Sequence, residues 1–431
     1  MINRWNDDDE QKYIYQNDLN IDEAKGIVQQ AYATSLLGAE SDLTIHGGGN
    51  TSVKILVGDN RDTAMRVLCV KASGTPLASF IPKYFVSMDL SYLERLNQLD
   101  ALGDKEMADM FEGFKVLKSE YQPSIESTMH AFIPAKYVNH THPVAVLKIL
   151  NRVNGIELFK ECFGDELAVI PYARLGFDFA KAALKAVKQN NNCKGIAIAH
   201  HGLVTWGQEA REAYERTIGI VTKAEDFLSK ISVKPVTPQT AITADSSKKY
   251  FKRFAPVVRN SITYICKGAG FRGRKISFSL LNAPDVLDLI NSRSGRDIIC
   301  NPPMTPDYPM LNRILPLWID VDLSLAKKKI VLHVRQAVAK FIEEYIAYLN
   351  KHDAASCPVT ELLPKVIIHP QIGAVCCGLN QDDAQKTADL THQAFSIRRA
   401  VAETGGVYES LPEKYLFDMQ YKGYQQAKKQ K

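Results

Sequence analysis

Apolar residues recur at helical spacing over residues 21–38, where IDEAKGIVQQAYATSLLG closes on a glycine, and the same periodicity predicts helices over 144–151, 177–189 and about 209–229. Between and before them lie apolar runs of strand length. One follows GGGNTS, one precedes KASGT, one runs through Tyr137 and Val138 into a pair of histidines, and two more cover 167–171 and 196–199. The last of these opens into a turn at Gly202. Strands and helices therefore alternate as far as about Lys230, the pattern of a layered α/β domain. Ahead of it, residues 1–20 read as a polar arm; behind it, KPVTPQTAITADSSKK mixes Pro, Thr and Ser without periodicity. That stretch, residues 233–250, is read as a linker between a domain over 21–232 and a second α/β domain over 251–431.

The second domain carries an echo of the first. KVIIHPQIGAVCCGLNQDDAQKTADLTHQAFSIRRA, from Lys365, follows the pattern of KGIAIAHHGLVTWGQEAREAYERTIGIVTKAE, from Lys194, with Gly373 and Gly378 where the earlier copy has Gly202 and Gly207. Ile372 stands where that copy has His201, so the expectation is a degenerate repeat that keeps the scaffold and lacks the histidine. KGAGFRG (Gly268, Gly270, Gly273) matches G-x-G-x-x-G, yet it leads into the strand-like RKISFSLL where a dinucleotide site needs a helix, and it is read as no cofactor site.

Composition narrows the class of protein. Across 431 residues, 45% apolar and 23% charged content is that of a globular chain, and 53 basic against 48 acidic residues leave a net charge of only +5. No strong field favours nucleic acid or an acidic membrane. The eight cysteines form no C-x-x-C pair, which suits a reducing compartment, and no run approaches the roughly 18 apolar residues of a membrane span. With a polar, acidic start lacking an apolar leader, the chain is expected in the cytoplasm.

The chemistry concentrates in PSIESTMHAFIPAKYVNHTHP, residues 123–143. His140 and His142 lie two apart, and in an extended chain such residues point to one side, so two imidazoles can meet one ion. Pro134 and Pro143 favour that extended reading over a helix. A third histidine is available in GIAIAHHGLVTWG; adjacent strand residues face opposite ways, and His201, next to the glycine, is chosen over His200. The others (His46, His130, His333, His352, His369, His392) are scattered. Three histidines with the carboxylate of Glu126 suit Zn²⁺ with a position left for substrate, and the same N/O donors admit Mn²⁺, Co²⁺ or Fe²⁺.

Two glycine turns add anion-binding potential. Gly47, Gly48 and Gly49 lead into Asn50, Thr51 and Ser52, and a second turn offers Lys71, Ser73, Gly74 and Thr75. Bare N–H groups, hydroxyls and one cation suit phosphate oxygens, although each turn taken singly is also an ordinary hairpin turn. Ser124 could add a hydroxyl, or cap the helix that carries Glu126 and His130.

Taken together, GGGNTS, KASGT, PSIE, HTHP and HHGLVTWG resemble, in order, the class II aldolase/adducin family. The resemblance implies a central β-sheet flanked by helices, zinc on His140, His142 and His201, a catalytic Glu126, and phosphate contacts from Gly49, Asn50, Ser73 and Gly74 with Ser124 as a helper. Where simpler members carry two serines before the glutamate, this chain has Ser124-Ile125. TPDYP, residues 305–309, and SLPEKYLFDMQYKGYQQAK resemble the aldolase portion of bifunctional rhamnulose-1-phosphate aldolase/alcohol dehydrogenases, with Tyr308 where that group has histidine and without the dehydrogenase half. The implied activity is reversible cleavage of a ketose 1-phosphate to dihydroxyacetone phosphate and an aldehyde, by a homo-oligomer acting on a small-molecule sugar phosphate. An epimerase, dehydratase or decarboxylase could use the same site, and a non-catalytic adducin-like module would need only the fold.

Overall fold

Alternation along each strand sends neighbouring side chains into two separate cores, and that alternation organises the first unit, Met1–Ser232. The computed structural model describes residues 1–17, 22–58, 64–266, 276–302, 308, 312–352 and 362–420. In chain order the first unit forms α1 (Asp7–Gln16), α2 (Asp22–Gly38), β1 (Asn50–Val57), β2 (Met65–Lys71), β3 (Phe85–Asp89), α3 (Leu90–Arg95), α4 (Asp104–Phe114), α5 (Ser127–Phe132) and β4 (Tyr137–Thr141). It continues through α6 (Val144–Leu150), α7 (Gly155–Phe163), β5 (Ala168–Ile170), α8 (Phe177–Gln189), β6 (Gly195–Ile198), β7 (Gly202–Gly207) and α9 (Ala210–Ser229).

The strands make one sheet in the order β3-β2-β1-β4-β7-β6-β5, parallel only between β5 and β6. Val67, Cys69, Tyr137 and Leu203 enter a core shared with α2, α6, α7 and α9. Leu68, Val70, Val138 and Val204, each one residue on, enter a core shared with α3, α4, α5 and α8. The layered α/β fold with a central sheet between helices is thus present, and β4 at its centre is buried along its whole length. The expected strand–helix alternation fails for β1 to β3, which are successive antiparallel neighbours.

The polar arm is not a solvated coil. Asn6 Oδ1 accepts from the N–H groups of Asp8 and Asp9 at 2.9 and 3.0 Å, and four acids fill the first turn of α1, where the helix dipole favours them. Trp5 then packs edge-on against Tyr32 with ring centroids 5.1 Å apart. Too few of its residues are apolar for a periodicity to show.

The second unit, Val233–Lys431, forms α10 (Ala244–Cys266), β8 (Ser277–Leu281), α11 (Pro284–Ile290), α12 (Gly295–Ile299), β9 (Leu317–Trp318), α13 (Lys327–Lys351), β10 (Val366–His369), β11 (Gly373–Gly378) and α14 (Gln381–Glu403). Helix α10 begins inside the stretch read as linker, because Thr243 Oγ1 accepts from Ser246 N–H at 3.2 Å and starts a helix where Thr and Ser suggested only loop. The G-x-G-x-x-G stretch, most of residues 305–309 and residues 421–431 lie outside the described residues; Tyr308 is buried.

The echo reaches further than the matching segments after Lys194 and Lys365. The sheet order β8-β11-β10-β9 repeats β4-β7-β6-β5 strand for strand, including the single parallel pair. Register agrees as well: His140 pairs with Val204 in the first unit, and Leu280 with Val375 in the second. A Cβ on Gly155 would meet the Leu150 carbonyl oxygen at 2.2 Å, and one on Gly295 the Leu289 carbonyl oxygen at 2.0 Å. The second copy therefore has Leu280, Asn282 and Ile372 where the first has His140, His142 and His201. There Asn282 donates to Ser247 Oγ at 3.0 Å, and Ser247 donates to the Ile372 carbonyl at 2.6 Å, so hydrogen bonds among these residues replace the histidine cluster.

Candidate metal and carboxylate site

His140 shares strand parity with Val138 and so points toward α5 and α8. His142 follows just beyond β4, where its N–H donates to the Leu43 carbonyl at 2.8 Å. His200 and His201 occupy the turn between β6 and β7, so strand alternation does not separate them as expected. His200 takes a left-handed φ of 57°, and His201 N–H returns to the Ile198 carbonyl at 3.1 Å. Gly202 lets that turn approach β4: a Cβ there would lie 2.2 Å from the Thr141 carbonyl oxygen and 2.8 Å from His142 Cδ2.

The result is a buried group of imidazoles. His140 Nε2 lies 3.1 Å from both His201 Nε2 and His142 Nε2, and the ligand atoms of all three residues fall within 4.8 Å of one another. His140 Nδ1 donates to the Leu203 carbonyl at 3.1 Å, which leaves Nε2 as a lone pair. Burial pushes His140 well below the usual imidazole range and keeps it neutral, the form a metal accepts. His140 Nε2 turns its lone pair toward the other two rings, three neutral imidazoles so grouped can share one cation, and the donor set fits Zn²⁺. Phe179 walls the group, its ring centroid 5.0 Å from that of His201.

Glu126 supplies the fourth group. It occupies the N-cap position of α5 rather than the helix itself, with Oε1 3.3 Å from His201 Nε2 and Oε2 3.6 Å from His140 Nε2. Burial is the largest influence on this carboxyl and pushes it up; positive charge on His140 or His201, when either ring is protonated, and the Asn50 amide hydrogen bond oppose it, and the net direction is well below the usual carboxylate range. Asn50 Nδ2 donates to Oε2 at 2.6 Å, and Asn50 Oδ1 meets His130 Nε2, so this side chain faces the carboxylate. Ser124 Oγ accepts from Glu126 N–H at 3.2 Å and its carbonyl accepts from Ser127 N–H at 3.1 Å, closing the turn into α5.

The two glycine turns meet. A Cβ on Gly47 would come within 3.8 Å of Gly74 Cα, and Lys71 Nζ reaches the carbonyls of Gly47 and Ala72 at 3.5 and 3.3 Å. Ser73 N–H donates to the Gln122 carbonyl at 2.7 Å, and Ala72 pairs with Pro123, pinning the second turn to the segment that carries Glu126. Gly49 has φ +72°, and a Cβ there would lie 2.7 Å from the His140 carbonyl oxygen, so the first turn is pressed onto β4. Gly49, Asn50, Ser73, Gly74, Ser124 and Glu126 are therefore in one neighbourhood with the histidines. His130, set among the scattered histidines by sequence, belongs to it as well; its signal is the four-residue step from Glu126, one helical turn.

Residues 29–228 match the family described as Class II Aldolase and Adducin N-terminal domain, and residues 250–428 that described as Aldolase class II, second domain. The N-terminal class II aldolase domain of a conserved protein from Thermoplasma acidophilum is 33% identical, covering 53% of this chain and 99% of its own, with a TM-score of 0.46. L-Fuculose-1-phosphate aldolase from Thermus thermophilus is 19% identical over 47% of this chain and 94% of its own, with a TM-score of 0.31. An uncharacterized oxidoreductase of Bacillus subtilis (strain 168), YuxG, is 28% identical over 415 residues. That match takes in 95% of this chain, which spans only 59% of the relative's length.

Proposed function

The chain belongs to the class II aldolase and adducin family, and we propose that it is a metal-dependent aldolase that cleaves a ketose 1-phosphate of the rhamnulose 1-phosphate kind to dihydroxyacetone phosphate and an aldehyde. One observation carries this reading: three imidazoles and an ionised carboxylate converge in a buried site beside two glycine turns. His140, His142 and His201 would hold the ion. Zn²⁺ is the favoured metal, with Mn²⁺, Co²⁺ and Fe²⁺ compatible with the same donors. When bound, a divalent ion would supply a Lewis acid for the substrate's oxygens.

The chain's own residues do the rest. Cleavage breaks the bond between C3 and C4; the ionised Glu126 carboxylate takes up the C4 hydroxyl proton as that carbon becomes the aldehyde, and the bonding pair passes to C3. Glu126 is the group that returns a proton to C3, and Asn50 keeps its carboxylate aimed. Gly49, Ser73 and Gly74, with Lys71 between the turns, would receive the phosphate, and Ser124 supports that wall. The resemblance also supports a homo-oligomer, which light scattering tests. The function itself is tested by incubating metal-replete protein with a panel of ketose 1-phosphates. Triose phosphate is the expected product; an epimer or a dehydrated sugar without triose phosphate would overturn the assignment.

A further inference from the structure

The geometry points to a directed hydrogen-bond chain, Ser52 to His130 to Asn50, as the device that aims Glu126, with His130 and Ser52 as positioning residues that touch neither substrate nor metal. Its direction follows from elementary donor rules. A carboxylate only accepts, so the Asn50 amide presents its NH₂ to Glu126 Oε2 at 2.6 Å and turns its oxygen toward His130. His130 Nε2 must then carry the ring proton. Nδ1 is left as an acceptor, and the Ser52 hydroxyl, 2.7 Å away, donates to it.

Local structure places all four members. Asn50 and Ser52 are two apart on β1 and share a face, and Glu126 and His130 are one helical turn apart. Ser52 and His130 are 0% exposed, Glu126 4% and Asn50 7%, so water does not compete. Burial also pushes His130 down to about 3, so the ring stays neutral and orients rather than charges the carboxylate. If the Asn50 amide flipped, its oxygen would face the carboxylate and its NH₂ the His130 N–H; the chain thus fixes one orientation, and Glu126 Oε1 is left toward His201.

The inference rests on Glu126 being the acting carboxylate, so its test has one arm independent of turnover. In ¹⁵N-histidine-labelled full-length protein, with the His130 signals assigned by their loss in His130→Gln, the ring should carry its proton on Nε2 only and stay unchanged from pH 5 to 8. In Ser52→Ala that single tautomer should give way to a mixture. A proton on Nδ1, titration within this range, or a tautomer indifferent to Ser52→Ala would overturn the chain, whatever the enzyme turns over. On whichever substrate the ketose panel identifies, His130→Leu should lower kcat about 10–100-fold with KM and metal content near wild type, as for residues that orient a reacting group through another. His130→Gln, which keeps a donor for Asn50, should recover most of that loss. Wild-type kcat in His130→Leu, or equal loss in both variants, would refute the positioning role.

Discussion

Asn50 on β1 and His140 on β4 stand directly opposite one another in the antiparallel ladder. One register therefore fixes both the donor that holds Glu126 Oε2 at 2.6 Å and the imidazole whose Nε2 lies 3.6 Å from the same oxygen. Replacing Asn50 by Ala removes the hydrogen bond to a buried charge, which costs on the order of 2 kcal/mol. Asn50→Asp should be worse, because it buries a second carboxylate against the first. Urea unfolding of both variants, with turnover alongside, should rank wild type above Asn50→Ala and Asn50→Asp last; Asp as good as Asn would show that the amide donor is dispensable.

Gly202 and Gly373 occupy matching places in the two sheets and separate the roles of the two units. A Cβ at 202 would press on the Thr141 carbonyl oxygen and on His142, whereas one at 373, where φ is +104°, would press on the Leu281 carbonyl oxygen at 2.5 Å. Each Gly→Ala change should destabilise its own unit by about 1–3 kcal/mol. Only Gly202→Ala should weaken metal retention, measured by dialysis against a chelator; equal loss in Gly373→Ala would contradict the reading of the second copy as a scaffold without ligands.

Stability should depend on pH through His130. Its pKa falls from 6.5 in the open chain to about 3 in the fold because burial disfavours the charged ring. A group depressed in this way contributes fully above about 6.5 and loses that contribution as pH falls toward 3, since the unfolded chain takes up the proton first. The slope for one such group approaches about 1.4 kcal/mol per pH unit. Urea midpoints of wild type and His130→Gln between pH 7 and 4 should therefore converge on acidification; parallel curves would show that the ring is not held neutral.

Some of this was legible in the chain and some was not, for physical reasons. The period of two makes H-x-H readable as one side of a strand, and β4 ends at Thr141 with His142 just beyond. His201 was readable as a neighbour of a glycine, but the turn that holds it beside His200 depends on the close approach of Gly202 to β4, which no local pattern encodes. His130 is readable as one helical turn from Glu126, but its partners, Asn50 and Ser52, lie 80 and 78 residues away in sequence and meet it only through the packing of α5 against β1. The repeat was visible from Lys365 onward, where the glycines survive. Its earlier part, with Leu280 and Asn282 in place of two histidines, keeps the strand register while changing the side chains, so only the ladder reveals it.

The central claim is that His140, His142 and His201 hold a metal ion that serves Glu126. Elemental analysis of purified protein, comparing wild type with His142→Ala and Glu126→Gln, tests it most directly. The account predicts about one divalent ion per chain in wild type, nearly none in His142→Ala, and an ion retained in Glu126→Gln. Equal metal content in wild type and His142→Ala would contradict it.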